Sequence, residues 1–158
     1  MPEHHWIEQL PQRAGETVTV RGWVATTRSS GKIAFVVVRD GTGLLQAVLS
    51  KKEVPEDVWS AFGKLTHETS LELSGVVRPD ARAPGGVELQ ASDLRIIGPS
   101  PDFPITPKEH GTAFLFEHRH LWLRSRQQVA IARVRSEVIQ AIRDFFHERQ
   151  LRSSIRRF

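Results

Sequence analysis

The stretch TVTVRGWVATTRSSGKIAFVVVRDGTGLLQAVL, residues 17–49, decides the fold of this chain. Its first part alternates apolar or small residues with polar or bulky ones. The members of the apolar set are Val18, Val20, Gly22 and Val24. A period of two is typical of a β-strand with one buried face, so we predict a first strand over residues 17–27.

Two more strands follow within the same stretch. Residues 33–39 form an almost unbroken apolar run that is too short and too rich in β-branched side chains for a helix. The cluster Ser29-Ser30-Gly31 precedes this run as a turn. Asp40-Gly41-Thr42-Gly43 follows it as a tight turn, because its glycines can take a positive φ. Residues 44–49 complete a three-stranded meander.

One helix and two further strands are predicted after the meander. Val54-Pro55-Glu56-Asp57 resembles a helix start, with Pro in the first turn and carboxylates near the positive end of the helix dipole. Alternation predicts strands over residues 70–77 and 87–97, joined by a hairpin loop at Pro84-Gly85-Gly86. The predicted buried residues of these strands are Leu71, Leu73, Val76, Val87, Leu89, Ala91, Leu94 and Ile96. We assign Trp23 and Trp59 to the core or its rim.

The order of the predicted elements indicates a mainly β fold. A barrel of five strands with one short helix between the third and fourth is the OB-fold, whose face on strands two and three binds oligonucleotides or oligosaccharides. An SH3-like barrel and a β-sandwich are the alternatives, and the position of the helix favours the OB-fold. We assign residues 1–97 to this domain.

The remaining residues predict a linker and a helix. Four prolines between residues 98 and 111 indicate a semi-rigid linker, and we assign residues 98–124 to a hinge. Beyond it, apolar residues recur every three or four positions, which predicts a C-terminal α-helix over residues 126–148. Its stripe consists of Ile131, Val134, Val138, Ile142 and Phe145. The predicted barrel offers this stripe no partner, so it should pack against another domain or a second chain.

Composition narrows the class of protein. The chain lacks cysteine, so a disulfide framework or a thiolate metal site is excluded. The start MPEHHWIEQLP resembles no signal peptide, and no apolar run approaches the roughly 20 residues of a membrane span. We therefore expect a soluble, cytoplasmic protein without a membrane partner.

The histidines and the charge distribution give weaker signals. His4-His5 should lie at a frayed end, and His118 and His120 alternate on an extended hinge without a carboxylate cluster, so we predict no metal site. Residues 1–107 carry 11 Lys and Arg against 13 Asp and Glu, whereas residues 108–158 carry 11 against 5. The basic C-terminal third could bind a polyanion or simply present a solvated helix face.

Three segments resemble a known family. They are VTVRGWVATTRSSGKIAFVVVRDGTGLLQAVL, PGGVELQASDL and PITPKEHGTAFLFEHRHLWLRSR. They resemble the N-terminal anticodon-binding domain and hinge of the class IIb aminoacyl-tRNA synthetases, the aspartyl, asparaginyl and lysyl group. Within that group, the segment HRHLWLR resembles the asparaginyl enzymes. The resemblance implies that the partner is tRNA, bound through its anticodon loop.

The resemblance also implies roles for individual residues. Phe35 matches the aromatic that stacks on the middle anticodon base, Arg28 and Gln46 match the polar groups around that base, and Glu88 falls where the first base is read. Single-stranded loops are recognised by stacking and by hydrogen bonds to base edges, which these side chains can provide. From the residues alone, Phe35 could instead be a core residue, and Arg28, Gln46 and Glu88 could be solvated. Lys32 is a candidate contact to backbone phosphate.

The helix over residues 126–148 resembles the opening of class II motif 1, which forms a dimer in that family. Residues 125–158 are accordingly assigned to a motif 1-like helix and a divergent tail of a truncated catalytic domain. Nothing resembles motifs 2 and 3, so we expect no catalytic residues and no cofactor in this chain, with ATP and Mg²⁺ belonging to a full-length parent. The alternatives are a free-standing OB-fold protein that binds single-stranded nucleic acid and a fragment of an aspartyl enzyme.

Overall fold

A computed structural model of the chain describes residues 4–152. Its strands are β1 (Thr17–Ser30), β2 (Ile33–Arg39), β3 (Leu44–Ser50), β4 (Ser70–Pro79) and β5 (Val87–Gly98). Its α-helices are α1 (Glu56–Phe62), α2 (Thr112–Glu117), α3 (Arg119–Trp122) and α4 (Arg126–Glu148). Two short 3-10 helices, Ile7–Gln12 and Pro84–Gly86, were not predicted from the sequence.

The five strands form a closed barrel in the order β1-β2-β3-β5-β4. All pairings are antiparallel except that of β3 with β5, and α1 follows β3 and precedes β4. The predicted five-stranded OB-fold is therefore confirmed. The strand β1 extends three residues beyond its predicted end, and the turn moves to Gly31 and Lys32.

The barrel core follows the predicted alternation, except that Val76 and Ile96 are only partly buried, Ile96 packing against the core. Val18, Val20 and Val24 of β1 are buried. In β4 the inward residues are Leu71, Leu73, Gly75 and Val77, so the prediction that Val76 is buried was wrong. The alternation of β4 continues through Gly75, which takes an inward position without a side chain. Val77 is therefore the next inward residue, and Val76 lies on the outer face. The change of phase in β5 between Ala91 and Leu94 comes from a bulge, because Gly75 pairs with Ala91 whereas Ser74 pairs with Asp93.

Two inward glycines allow neighbouring strands to approach closely. A Cβ on Gly22 would lie 2.6 Å from Cγ1 of Val38 and overlap the carbonyl of Arg39. A Cβ on Gly75 would lie 2.7 Å from Cα of Ala91. Because real Cβ atoms do not come so near, any larger residue at these positions would push β1 away from β2, or β4 away from β5.

The two tryptophans assigned to the core or its rim behave differently. Trp59 is partly buried and packs against the core from α1. Trp23 points to the outer face of β1 and is 39% exposed. The assignment was therefore wrong for Trp23, since the odd-numbered residues at this part of β1 face outward.

The N-terminal segment is part of the barrel unit. The backbone N–H of His5 donates to the carbonyl of Thr19 at 2.9 Å, and the side chain of His5 is buried. The expectation of a frayed end at His5 was wrong. Ile7 and Leu10, from the 3-10 helix, belong to the hydrophobic core. These two side chains therefore anchor the segment.

The chain divides into two compact units between Phe103 and Pro104. Within the second unit, α4 has the predicted bounds. The helices α2 and α3 lie in the segment assigned as a hinge, where the sequence predicted no helix, so His118 and His120 are not on an extended strand. The rings of His110 and His118 both pack against the ring of Phe114, with centroid distances of 4.8 and 4.3 Å.

Within the described residues 4–152, every helix is too short or too polar to span a membrane.

Asp40 connects the N-terminal segment to the β2–β3 turn. Its carboxylate accepts hydrogen bonds from the N–H groups of Ile7 (2.8 Å), Thr42 (2.7 Å) and Gly43 (2.9 Å) and from the Thr42 hydroxyl (2.7 Å). Burial alone would raise the pKa of Asp40, but these hydrogen bonds favour the ionised form and together hold the pKa below its ordinary value.

Asp40→Ala should lower the free energy of unfolding by about 2–4 kcal/mol, because it leaves buried N–H donors without an acceptor. Since folding lowers the pKa, this stabilisation is complete above the pKa of Asp40 in the unfolded chain and is lost as the pH falls through the lower pKa of the folded state. The difference between the variant and the wild type should therefore shrink in acid. Urea unfolding followed by tryptophan fluorescence over a pH series measures it.

Asp57→Ala serves as the control, because Asp57 is an exposed carboxylate in the first turn of α1. Its loss should cost about 0.5 kcal/mol. Equal destabilisation by the two variants at neutral pH would show that the hydrogen bonds of Asp40 do not hold the N-terminal segment.

Candidate functional site

Strand register brings together polar and aromatic side chains on the outer face of the barrel. One row runs across four strands, with Arg28 of β1 opposite Phe35 of β2, Phe35 opposite Val48 of β3, and Val48 opposite Gln90 of β5. The next row joins Gln46 of β3 to Glu88 of β5. The two rows are adjacent because Gln46 and Val48 are two residues apart on one strand face.

All residues of these rows except Gln90 line an open groove of about 430 Å³. Its lining residues are Arg28, Ile33, Phe35, Gln46, Val48, Asp80, Arg82 and Glu88. Four of the five residues predicted to form the site therefore lie together. The fifth, Lys32, lies in the exposed turn between β1 and β2, where its carbonyl accepts a hydrogen bond from the N–H of Lys51, and it does not line the groove.

Phe35 is on the outside of the barrel. Its neighbours Ala34 and Val36 are fully buried, whereas Phe35 is only partly buried. The alternative that Phe35 is a core residue is therefore excluded. The guanidinium carbon of Arg28 lies 4.3 Å from the centroid of the Phe35 ring, so a cation covers part of the aromatic surface.

A chain of weak hydrogen bonds links the polar groups. Arg28 donates through Nη2 to Oε1 of Gln46 at 3.4 Å, and Gln46 donates through Nε2 to Oε2 of Glu88 at 3.3 Å. Both distances are long for hydrogen bonds to charged partners. These two hydrogen bonds therefore orient the amide of Gln46, with its oxygen toward Arg28. Because both are weak, a ligand can replace either of them at little cost in free energy.

The loop after β4 contributes two residues that sequence reasoning missed. Asp80 accepts hydrogen bonds from the N–H of Arg82 at 2.9 Å and from its Nε at 3.5 Å. The backbone hydrogen bond from Arg82, assisted by the guanidinium charge, lowers the pKa of Asp80 against an opposing contribution from desolvation. The side chain of Arg82 is 93% exposed. The signal was available, since the loop between the fourth and fifth strands is part of the OB-fold binding surface.

The groove combines the groups that recognise unpaired bases. An aromatic ring provides a stacking surface, an amide offers both a donor and an acceptor, and a carboxylate accepts from base amino groups. Among residues 4–152, no three His, Cys, Asp or Glu side chains lie close enough together to hold a metal ion. The aromatic, amide and carboxylate groups of the groove are those that can bind unpaired bases.

Comparison with known proteins agrees with this geometry. Residues 18–97 match the family described as OB-fold nucleic acid binding domain, and the chain belongs to that family. Within it, the chain is similar to asparagine–tRNA ligases. The ligase of Symbiobacterium thermophilum is 54% identical over 142 residues, which cover 90% of this chain and 32% of that protein. The ligase of Pelotomaculum thermopropionicum is 51% identical over 143 residues, covering 90% of this chain and 33% of that protein.

A solved structure shows the same relationship. The asparaginyl-tRNA synthetase from Pyrococcus horikoshii, crystallised with asparaginyl-adenylate, superposes with a TM-score of 0.86 at 34% identity, over 94% of this chain and 35% of that one. The resemblance to asparaginyl enzymes predicted from the sequence is confirmed. The chain spans about a third of the length of the curated relatives that it matches.

Phe35→Ala should weaken binding of a single-stranded RNA by about 1–3 kcal/mol, the usual value of one base on an aromatic ring. The salt dependence should hardly change, because no phosphate contact is removed. Lys32→Ala should instead reduce the salt slope and weaken all RNAs alike. Filter-binding titrations at several salt concentrations separate the two effects. Wild-type affinity in the Phe35 variant would show that the ring is not a stacking surface.

Proposed function

We propose that the barrel reads the anticodon loop of an asparagine tRNA as part of an asparagine–tRNA ligase. The observation that carries this proposal is the groove in which Phe35, Gln46 and Glu88 share one face. The membership of the nucleic-acid-binding family and the similarity to asparagine–tRNA ligases support the choice of ligand.

In this proposal, each groove residue has a distinct task. The middle anticodon base stacks on Phe35, and Arg28 and Gln46 hydrogen-bond to its edge. Glu88 accepts from donors of the first base, for which its carboxylate is suited. The weak contacts of Gln46 with Arg28 and Glu88 support this assignment, because they position the amide before binding and are easily exchanged.

In this proposal, the groove binds tRNA and does not itself carry out aminoacylation. Aminoacylation, with the ATP and Mg²⁺ that it uses, is proposed to depend on parts of the relatives that this chain does not span. The contribution of this chain is affinity for tRNA and discrimination among anticodons. We place this function in the cytoplasm, where a tRNA ligand is available.

The test compares cognate tRNA with a tRNA that differs only in its anticodon. The wild-type chain should bind the cognate form more tightly by roughly 1–3 kcal/mol for each altered base. Gln46→Ala should reduce this preference, because a partner for a base edge is lost. Gln12→Ala, which changes an exposed glutamine outside the groove, is the control and should retain it. Fluorescence anisotropy with labelled tRNA measures both affinities.

Equal binding of the two tRNAs by the wild-type chain would contradict anticodon reading. If unrelated single-stranded RNAs also bound with the same affinity, a free-standing OB-fold protein that binds without sequence preference would replace this proposal.

We further propose that α4 mediates homodimer formation. Five apolar side chains along one stripe of this helix are about half exposed or more: Ile131, Val134, Val138, Ile142 and Phe145. Water-exposed stripes of this length are unfavourable in a lone helix and are typical of helix–helix interfaces. The resemblance of this helix to the dimer-forming opening of motif 1 supports a second copy of the chain as the partner.

Val138→Lys should therefore shift the chain toward a monomer, because it places a charge at the centre of the stripe. Ser136→Lys adds the same charge on another side of α4 and should leave the association unchanged. Sedimentation velocity over a range of concentrations distinguishes these outcomes. A wild-type chain that remains monomeric at every concentration would contradict the proposed dimer.

A further inference from the structure

The outer face of the β1–β2 pair continues past Phe35 and ends in a second aromatic residue. Cross-strand partners on this face are Arg28 with Phe35, Thr26 with Val37, and Trp23 with Arg39. Each end of the face therefore pairs an arginine with an aromatic ring. The guanidinium carbon of Arg39 lies 5.6 Å from the ring of Trp23, compared with 4.3 Å for Arg28 and Phe35.

The two aromatic residues lie within reach of one RNA strand. Phe35 and Arg39 are four residues apart on β2, which corresponds to roughly 13 Å along a strand. A single OB-fold contacts about 4–16 nucleotides of single-stranded nucleic acid, more than the bases assigned to Phe35, Gln46 and Glu88. The face that holds Trp23 is therefore a continuation of the proposed binding surface.

The surroundings of Trp23 hold it in a defined position. Arg39 forms an ion pair with Glu68, whose carboxylate is buried. The N–H of Glu68 donates to the carbonyl of Val24, the residue after Trp23, at 2.8 Å. Arg39 is thus fixed beside the indole from one side, and Trp23 remains 39% exposed. A large aromatic side chain that is rigidly supported and partly open to solvent is suited to stacking.

We propose that Trp23, supported by Arg39, is a second stacking surface for a base of the same RNA strand outside the anticodon triplet. The inference rests on the proposed anticodon-reading function. The ion pair with Glu68 offsets the charge of Arg39, so the role of Arg39 is to support the indole. The continuity of the face with Phe35 favours the same RNA over a separate partner. Stacking is tolerant of base identity, so Trp23 adds affinity rather than anticodon preference.

The test uses two variants and two RNAs. Trp23→Leu keeps apolar bulk and removes the aromatic surface, whereas Trp23→Phe keeps a ring. The RNAs are the anticodon stem-loop and the same stem-loop with abasic sites in place of the loop nucleotides that flank the anticodon. Trp23→Leu should weaken binding of the intact loop about 5-fold or more, Trp23→Phe clearly less, and neither should affect the abasic loop.

Phe35→Ala provides the internal reference, because it should weaken binding of both RNAs. Thermal unfolding of each variant shows whether it is folded. If Trp23→Leu is unfolded, two other measurements decide the proposal: the affinity of Trp23→Phe for the intact loop, and the affinity that the wild-type chain loses when the flanking nucleotides are abasic. Equal binding of the intact loop by Trp23→Leu and wild type overturns the second stacking surface and leaves the proposed function standing. A wild-type chain that binds neither RNA overturns both.

Discussion

Closure of the barrel depends on β1, because its two halves pair with different strands. The first half of β1, from Thr17 to Trp23, pairs with β4, and its second half, from Trp23 to Ser30, pairs with β2. The strand changes partner next to Gly22, where the backbones approach too closely for a side chain, and it has a register shift between Val24 and Thr26. A bulge of this kind increases the local twist, which lets β1 pair with β4 at one end and with β2 at the other. Register, and with it every outward row of side chains, follows from this arrangement.

The groove lies in a barrel without excess positive charge. Residues 1–107, which include all five strands, carry two more acidic than basic residues. In the proposed function, binding therefore comes from stacking and from hydrogen bonds to base edges rather than from many phosphate contacts, and we expect a modest salt dependence. Six of the eight groove residues lie on strands, whose backbone hydrogen bonds hold them in place. Asp80 and Arg82 lie on the loop after β4, and the side chain of Arg82 is almost fully exposed.

Sequence reasoning succeeded where a local pattern and the tertiary environment agree. The alternation in β1 predicted its inward valines, and the three-to-four spacing predicted the bounds of α4. It failed where the decisive contact is distant in sequence. His5 is ordered by Thr19, and the N–H of Ile7 donates to Asp40, 33 positions further on. No local pattern near residue 5 carries that information. The error at Val76 has another cause: a strict period of two from Leu71 and Leu73 places Gly75 and Val77 inward, and the glycine at position 75 obscured this alternation.

The amino-acid sequence by itself determined the five strands and their succession along the chain, the helix between the third and fourth strands, the C-terminal helix and the residue types at Arg28, Phe35, Gln46 and Glu88. These depend on periodicity and side-chain chemistry, which are local properties. Only the tertiary structure decided that Phe35 lies outside the core, that Gln46 stands between Arg28 and Glu88, and that Trp23 shares a face with Phe35. The reason is physical: a shift of one residue in register turns every side chain of a strand to the opposite face, and register is set by pairing across the closed barrel.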